Sequence, residues 1–301
     1  MPFPSLHRPV ITRRAHAKVN LALAVGPASP DDGYHPIASW MARIDLADDL
    51  EITRLEDDYL SRYAILWRDD APRKSEIDWS ITQDLSVRAH LLLEETTGRP
   101  LPIQLKLSKR IPVGGGLAGG SADAAAMLLA LDELFELRLT PENLTDLAMR
   151  LGSDVAYCLN HAPALVTGRG ETITPTPHCP AHLVLIIPDF GCATGAVYRA
   201  FDDAPQPKFD PDRVAQLAHA ADPAAKLFNH LAEPARAVQP RLAELIDTIE
   251  DDIARDLPVH VTGSGSTLFI VCPDGRREAR QLAQDINAHL PNLAALHTTI
   301  I

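Results

Sequence analysis

Apolar and polar residues alternate near the beginning of the chain, in the stretch 10–25. A period of two predicts a β-strand. Alternation returns in 37–55, where we expect further strands with a break near 47–49, and again in 101–107. The polar stretch 56–80 has no regular pattern and predicts no element.

Apolar residues spaced three and four apart predict helices over 85–95 and 121–137. The two ends of a third helix are predicted by residues that favour helix termini. Thr140 suits the N-cap, Pro141 suits the first turn and Gly152 suits the exit.

The second half of the chain mixes both periods. Strands are expected at 163–172, 183–187, 259–262, 268–272 and near the C-terminus, and helices around 194–203, 210–220, 240–255 and 276–290. Three prolines within 175–180 indicate a domain boundary, so we expect domains at 10–176 and 181–301. The mixture of elements favours an α+β fold.

Composition and charge exclude some classes of protein. Of 301 residues, 46% are apolar and 23% are charged, and the formal net charge is −12. An acidic chain is a poor candidate for binding nucleic acid through a field of Lys and Arg, although a local pocket can still attract a small anion. The four cysteines form no C-x-x-C pair, which favours reduced thiols.

Neither a signal peptide nor a transmembrane segment is expected. The N-terminus has no apolar core of signal-peptide length, and the apolar runs are shorter than the roughly 20 residues that span a bilayer. We therefore expect a cytoplasmic protein that does not bind membranes.

The candidate chemistry begins with a glycine-rich run that opens into the predicted helix at 121–137. The run consists of Pro112, Val113, Gly114, Gly115, Gly116, Leu117, Ala118, Gly119, Gly120, Ser121 and Ala122. Glycine permits positive φ and close approach of a ligand, and a helix start presents free N–H groups to phosphate oxygens. Ser121 could cap the helix or offer its hydroxyl to phosphate or Mg²⁺. These features favour phosphate binding, but no G-K-[ST] follows and no Rossmann unit is evident.

Each of the other candidate residues has a functional explanation and an equally simple structural one. Asp154 is either a general base or a helix-capping acid, and Lys18 is either its partner or an exposed strand lysine. Asn20 lies two residues after Lys18, on the same face of a strand. A second glycine turn, with Gly263 and Ser264, is either a phosphate-facing loop or a plain turn.

Aromatic residues near the turns have two explanations as well. Tyr34 and His35 follow a turn and form either a recognition pair or an ordinary loop pair. Tyr198 is either an aromatic wall of a pocket or a core residue. The pattern alone does not choose between these alternatives.

Several short motifs appear in an order that resembles a known family. They are Ala17-Lys18-Val19-Asn20-Leu21, Asp32-Gly33-Tyr34-His35, Lys109-Arg110-Ile111-Pro112 with the glycine run, Leu151-Gly152-Ser153-Asp154-Val155, Gly168-Arg169-Gly170-Glu171, Phe228-Asn229-His230-Leu231 and Thr262-Gly263-Ser264-Gly265-Ser266-Thr267. The chain thereby resembles the GHMP kinases, and within them the branch that phosphorylates 4-diphosphocytidyl-2-C-methyl-D-erythritol.

The resemblance implies a fold, a reaction and roles for the matched residues. It implies two α+β domains, the first like ribosomal protein S5 domain 2 and the second ferredoxin-like, with the site in the cleft between them. It implies transfer of a phosphoryl group from ATP, with Mg²⁺ carried on the ATP phosphates, to the 2-hydroxyl of the cytidine diphosphate-linked substrate in the non-mevalonate route to isopentenyl diphosphate.

The implied roles fall on residues already singled out. Asp154 is the catalytic base with Lys18 beside it, and the run 112–122 binds ATP. Substrate-binding roles fall on Asn20, Tyr34, His35, Tyr198, Gly263 and Ser264.

The chain departs from the family's pattern at Ala118, at Ala122 and around His230. The family often has a glycine at the first of these positions and a serine at the second. Two alternatives remain: a sibling kinase acting on homoserine or mevalonate, and a non-catalytic nucleotide-binding protein on the same scaffold.

Overall fold

The computed structural model describes residues 9–160, 162–220 and 224–301, which form two sheets with helices packed on them. Within these residues, the strands of the first sheet are β1 (Val10–Val25), β2 (Ile37–Arg54), β3 (Arg62–Trp67), β4 (Ile103–Lys109), β5 (Ala164–Gly168), β6 (Thr172–Pro175) and β8 (Phe228–Asn229). The second sheet contains β7 (His182–Ile187), β9 (His260–Val261), β10 (Leu268–Cys272) and β11 (Ala294–Thr299).

The helices fill the segments between these strands. They are α1 (Leu85–Thr97), α2 (Gly119–Phe135), α3 (Pro141–Leu151), α4 (Ser153–Cys158), α5 (Thr194–Asp203), α6 (Pro211–Ala218), α7 (Ala232–Val238), α8 (Pro240–Thr248) and α9 (Arg276–His289). The mixture of strands and helices confirms the expected α+β class. The short helices α4 and α7 were not predicted.

The first sheet is built on the long antiparallel pair of β1 and β2, and its strand order is β3-β4-β2-β1-β8, with β5 joined to β2 and β6 to β5. The predicted break in β2 near 47–49 is wrong, because the strand runs unbroken through Asp48. The Asp48 carboxylate is fully buried, and its hydrogen bonds offset the cost of burying a charge within the sheet. The strand β3 lies within the stretch 56–80, where no element was predicted.

Helix boundaries follow their predicted punctuation. Asp84 accepts a hydrogen bond from the Ser86 amide at the start of α1, and Gly98 ends that helix in the left-handed region. At α3, Thr140 and Asn143 form a reciprocal capping box. The predicted caps of α3 are therefore confirmed.

Apolar faces of the two sheets pack against each other. The cluster that joins them includes Leu21 of β1, Leu183 and Leu185 of β7 and Phe269 of β10. The chain also crosses between the sheets, because β8 pairs in parallel with β1. The division at 176–181 stays a prediction, and β8 shows that the second region contributes a strand to the first sheet.

All four cysteines are free, as expected for reduced thiols. Across the described ranges, no helix combines the length and the apolar character that crossing a membrane requires.

One partly buried histidine makes folding sensitive to acid. His260 of β9 packs against the Phe269 ring, and its Nε2 atom is buried with no hydrogen-bond partner among the described residues. Burial lowers the pKa of His260 to about 4. The folded state therefore disfavours the imidazolium that the unfolded chain forms below pH 6.5.

We expect the free energy of unfolding to fall as the pH drops from about 6.5 towards 4, with His260 contributing up to roughly 2 kcal/mol of this loss at pH 5. His260→Phe keeps the aromatic packing and removes the titration. Urea unfolding at pH 7 and pH 5 should show a smaller acid loss in His260→Phe than in the parent. His289→Phe makes the same substitution at an exposed position and is the matched control. Equal acid losses in both variants would contradict this assignment.

Candidate active site

A cavity of about 650 Å³ lies between the two sheets. Its walls come from β1, the glycine-rich loop, the beginning of α4, the beginning of α5 and the turn between β9 and β10. Residues 112–121 all line it, as do Lys18, Asn20, Asp154, Tyr198, Gly263 and Ser264. The structure thus brings together most of the predicted site residues from distant parts of the chain.

Irregularities in β1 lie on both sides of Lys18 and Asn20. The register with β2 shifts between His16 and Lys18 and again between Asn20 and Ala22. Such irregularities change where side chains point, which is why they recur next to active sites. The Lys18 amide donates to the Leu117 carbonyl, so this part of the strand also holds the glycine-rich loop.

The Lys18 ammonium is buried and fully engaged. It lies 3.5 Å from the Asp154 carboxylate. It also donates to Asn20 Oδ1 at 2.7 Å and to the Gly116 carbonyl at 3.1 Å. The Lys18 side chain is 4% exposed and that of Asp154 is 34% exposed. The ammonium is therefore fixed in place, while the carboxylate remains open to the cavity.

Asp154 follows the end of α3 at Gly152 and lies in the first turn of α4. The position places its negative charge at a helix N-terminus, where the free N–H groups favour an anion. Asn20 completes the group, since its amide Nδ2 donates to Ser39 Oγ and its backbone amide donates to Thr262 Oγ1. These bonds hold the Asn20 oxygen facing Lys18.

The glycine-rich loop packs directly on the turn between β9 and β10. Gly116 has φ of +76°, and a Cβ built on it would lie 2.4 Å from the Thr262 carbonyl oxygen. A Cβ on Gly115 would meet Thr267 Oγ1 at 2.6 Å, and the Gly115 carbonyl accepts from the Thr267 amide. Gly114 also has positive φ, but the space beside it is open. Glycine is thus required at 116 by both conformation and contact.

Helix α2 begins at Gly119, two residues earlier than predicted. Ser121 is therefore not the cap residue, and the cap position belongs to Ala118 in the left-handed region with φ of +56°. The Ala118 carbonyl accepts the Ala122 amide, and no side chain caps the helix start. Ala122 packs into the core and does not line the cavity, which accounts for a methyl group there.

The second glycine turn is held by residues from other elements. Ser264 Oγ and Thr194 Oγ1 are 2.9 Å apart. The Asn229 side chain donates to the carbonyls of Val261 and Gly263. The motif around His230 thus supports this turn from β8, a role that its sequence did not indicate.

The aromatic pair is divided between the surface and the interior. Tyr34 is 61% exposed, and the Arg169 guanidinium lies 5.1 Å above its ring. His35 is buried, donates from Nδ1 to the Gly26 carbonyl at 2.8 Å, and lies 5.0 Å from the Tyr198 ring between centroids. Burial, with the nearby Asp154 charge, raises the pKa of Tyr198 to about 12. His35 and Tyr198 are therefore adjacent, whereas the cavity lining includes Tyr198 but neither Tyr34 nor His35.

The structure places further residues around the site. Trp79, Gln83 and Asp84 also line the cavity, and the Trp79 indole donates to Asp84. The ammonium of Lys109, at the end of β4, is buried between the carboxylates of Asp48 and Asp123. Contacts over such sequence separations leave no local pattern.

Within the described ranges, no group of three or more His, Cys, Asp and Glu side chains is placed to hold a metal ion. The cavity does fit a polyphosphate. The loop amides at the start of α2 have no side-chain cap, and the space beside Gly114 admits a close approach to the backbone.

A lysine–carboxylate pair in direct contact with a glycine-rich loop and helix start, at the wall of one cavity, suits a small-molecule kinase. Two family models match the chain: that of the GHMP kinases N terminal domain over residues 84–167 and that of the GHMP kinases C terminal over residues 208–292. The fold and the site therefore define an ATP-dependent kinase of the GHMP class.

Individual relatives show to which branch of the GHMP kinases the chain belongs. A 4-diphosphocytidyl-2-C-methyl-D-erythritol kinase from Caulobacter sp. (strain K31) is 36% identical, with 92% of this chain and 94% of the relative covered. The protein of that name from Thermobifida fusca (strain YX) is 37% identical, with 92% of each covered. The chain belongs to the 4-diphosphocytidyl-2-C-methyl-D-erythritol kinase family.

Solved structures agree with this placement. A crystal structure of 4-(cytidine 5'-diphospho)-2C-methyl-D-erythritol kinase matches with a TM-score of 0.75 and 31% identity, over 96% of this chain and 99% of that one. A crystal structure of L. major mevalonate kinase matches with a TM-score of 0.70 but 13% identity, over 100% of this chain and 98% of that one. The second match shows the shared fold alone.

The contact at Gly116 predicts a difference between two glycines of similar conformation. Gly116→Ala should weaken ADP binding at least about tenfold, because its methyl group would displace the loop from Thr262, and calorimetric titration measures this. Gly98→Ala at the end of α1 is the matched control, since its φ of +65° is also in the left-handed region, its methyl group meets nothing, and it does not line the cavity. Equal losses in both variants would show that backbone conformation, not the contact, limits binding.

Ala118 predicts a gain in stability. Ala118→Gly relieves a left-handed conformation that costs an L-residue roughly 1–2 kcal/mol, offset in part by the greater entropy of unfolded glycine. We expect the free energy of unfolding to rise by about 0.5 kcal/mol in urea titration. Ala130→Gly, in the regular part of α2, should lower it by about 1 kcal/mol or more. A loss of stability in Ala118→Gly would contradict the assignment.

Proposed function

We propose that this protein phosphorylates the 2-hydroxyl of 4-diphosphocytidyl-2-C-methyl-D-erythritol in the non-mevalonate route to isopentenyl diphosphate. The observation that supports it most directly is the Lys18–Asp154 pair, whose charged groups lie 3.5 Å apart at the wall of the cavity. Among the residues that line the cavity, no other lysine is paired with a lining carboxylate. Family membership supplies the substrate, since relatives of that name cover nearly the whole chain.

Asp154 is proposed as the general base. Its carboxylate is partly open to the cavity and can accept the proton of the substrate hydroxyl as that oxygen attacks phosphorus. Lys18 is proposed to orient the Asp154 carboxylate and to stabilise negative charge on the attacking oxygen. Its two hydrogen bonds and its ion pair with Asp154 leave the ammonium little freedom to move.

The loop 112–121 is proposed as the site of the ATP phosphates, since Ala122 of the predicted run lies in the core. Bound ATP supplies the transferable phosphoryl group. The amides at the start of α2 can donate to phosphate oxygens, and Gly263 and Ser264 line the same cavity where the second turn packs on the loop. We further propose that Mg²⁺ enters on the ATP phosphates, because this small ion keeps water and phosphate oxygens in preference to a protein cage.

The cytidine end of the substrate is proposed to lie near Tyr34, His35 and Tyr198. His35 packs against Tyr198, and Tyr198 lines the cavity, which makes a path from the reacting groups to the aromatic pair. Aromatic faces stack on any base, so polar groups must select cytosine. Asn20 is proposed to contact the sugar-alcohol portion, and a cytoplasmic location remains a prediction from the sequence.

The proposal is tested by offering the purified protein Mg-ATP with each of three alcohols. We expect mass spectrometry to detect one added phosphoryl group on 4-diphosphocytidyl-2-C-methyl-D-erythritol and none on mevalonate or homoserine. Turnover of homoserine or mevalonate alone would replace the proposal with a sibling activity. ATP binding without turnover of any alcohol would favour a non-catalytic nucleotide-binding protein.

The roles of the pair are tested by Asp154→Asn and Lys18→Met. Loss of the base should lower kcat by roughly 10²–10⁴, and loss of the ammonium by about 10² or more. Asp146→Asn on the exposed side of α3 and Lys106→Met on β4 are matched controls, since both residues are exposed. Asp154→Asn with the kcat of its control would remove Asp154 from the mechanism.

A further inference from the structure

Three charged side chains lie buried beneath the glycine-rich loop. Asp48 is 0% exposed, Asp123 is 1% exposed and Lys109 is 3% exposed. Lys109 Nζ donates to Asp48 Oδ2 at 2.6 Å and to Asp123 Oδ2 at 2.7 Å. Burying a charge costs free energy unless the charge is paired, so each of these three side chains depends on the others for its place in the fold.

Each member of the group belongs to a different element. Asp48 lies within β2, Lys109 ends β4 and Asp123 lies in the second turn of α2. The loop leaves β4 after Lys109 and returns at α2. One ammonium ion therefore ties together the two ends of the glycine-rich loop.

Asp48 also holds the backbone where the loop begins. Its Oδ1 atom accepts from the amides of Arg110 and Ile111, the latter at 2.7 Å. Hydrogen bonds to a carboxylate are about twice as strong as neutral ones, and a buried one excludes competing water. Three successive residues, 109–111, are thus bound to a single side chain.

The charges of the group do not balance when all three are ionised, because two carboxylates face one ammonium. Asp123 Oδ1 has no hydrogen-bond partner among the described residues. Burial raises the pKa of Asp123, with the Lys109 charge opposing this and the Asp48 charge adding to it. Replacing either carboxylate by an amide leaves one balanced pair, so such variants are expected to fold.

We propose that Asp48, Lys109 and Asp123 form a loop clamp that positions the glycine-rich loop for the ATP phosphates, with Lys109 serving the clamp instead of binding phosphate as a free cation. This inference rests on the proposed phosphate-binding role of the loop. It does not depend on which alcohol is phosphorylated.

The clamp is tested by Asp48→Asn. An amide at this position cannot accept from both the loop amides and Lys109, because one of its two atoms is itself a donor. We expect ADP affinity, measured by calorimetric titration, to fall at least about tenfold, and KM for ATP to rise similarly. KM for the alcohol should stay within about threefold of the parent value. A general loss of structure would instead raise KM for the alcohol as well.

Two controls separate positioning from stability. Asp49→Asn makes the same change at the next residue of β2, where the carboxylate pairs with Arg68 outside the clamp, and should leave ADP affinity unchanged. Leu107→Ala opens a cavity in the buried core of β4 and should lower the thermal midpoint without a specific loss of ADP affinity. An ADP affinity in Asp48→Asn no weaker than in Leu107→Ala overturns the proposal.

If Asp48→Asn is insoluble, the loop clamp is tested by a second pair of variants, Asp123→Asn and Asp123→Ala. Asp123→Asn retains an oxygen that can accept from Lys109, and its ADP affinity should stay within about threefold of the parent. Asp123→Ala removes that acceptor and should lose about tenfold. Equal ADP affinity in the parent, Asp123→Asn and Asp123→Ala overturns the clamp. Because ADP binding is measured without an alcohol, these outcomes are independent of the proposed substrate.

Discussion

The contact between the glycine-rich loop and the turn after β9 is the constraint on which the cleft depends. The Gly116 backbone lies so close to the Thr262 carbonyl that a methyl group does not fit, and the Thr267 amide bonds the Gly115 carbonyl. The two loops come from different sheets, so their contact closes one side of the cavity. The strand β1 adds a third support, because the Lys18 amide bonds the Leu117 carbonyl. Loop, turn and lysine are therefore positioned together.

Charges near this loop are paired in ways that keep them in place. Lys18 faces Asp154 and Lys109 faces two carboxylates, so both lysines that line the cavity already have partners. Paired, buried ions have little rotational freedom and lose little entropy when a ligand binds. The difference lies in exposure, since the Asp154 carboxylate is partly open to the cavity and the carboxylates around Lys109 are buried. The first pair is available for chemistry, and the second is available only for structure.

Local patterns predicted the features that are determined locally. The caps Thr140 and Gly98, the helix periods and the glycine-rich loop depend on neighbouring residues, and the motif order indicated the family. The break expected near Asp48 was wrong because its partners are about sixty residues away. The irregularities around Lys18 and the support of Gly263 by Asn229 depend likewise on pairing across the fold. Sequence alone shows which residues are present at such positions, but not which distant donors and acceptors they meet.

An acidic protein that binds a polyphosphate has to attract it without a large positive surface. The formal charge is −12, and the buried cluster beneath the loop contains two acids for one base. In the proposed binding mode the attraction comes chiefly from neutral backbone N–H groups, whose dipoles are aligned at the start of α2. Dipoles act only over short distances and only when correctly oriented, so the loop has to be held more rigidly than a lysine-rich site would require. The glycines that allow close approach also make the backbone flexible. Fixed attachments at both ends of the loop are the physical remedy for that flexibility, which explains why so much buried charge is found there.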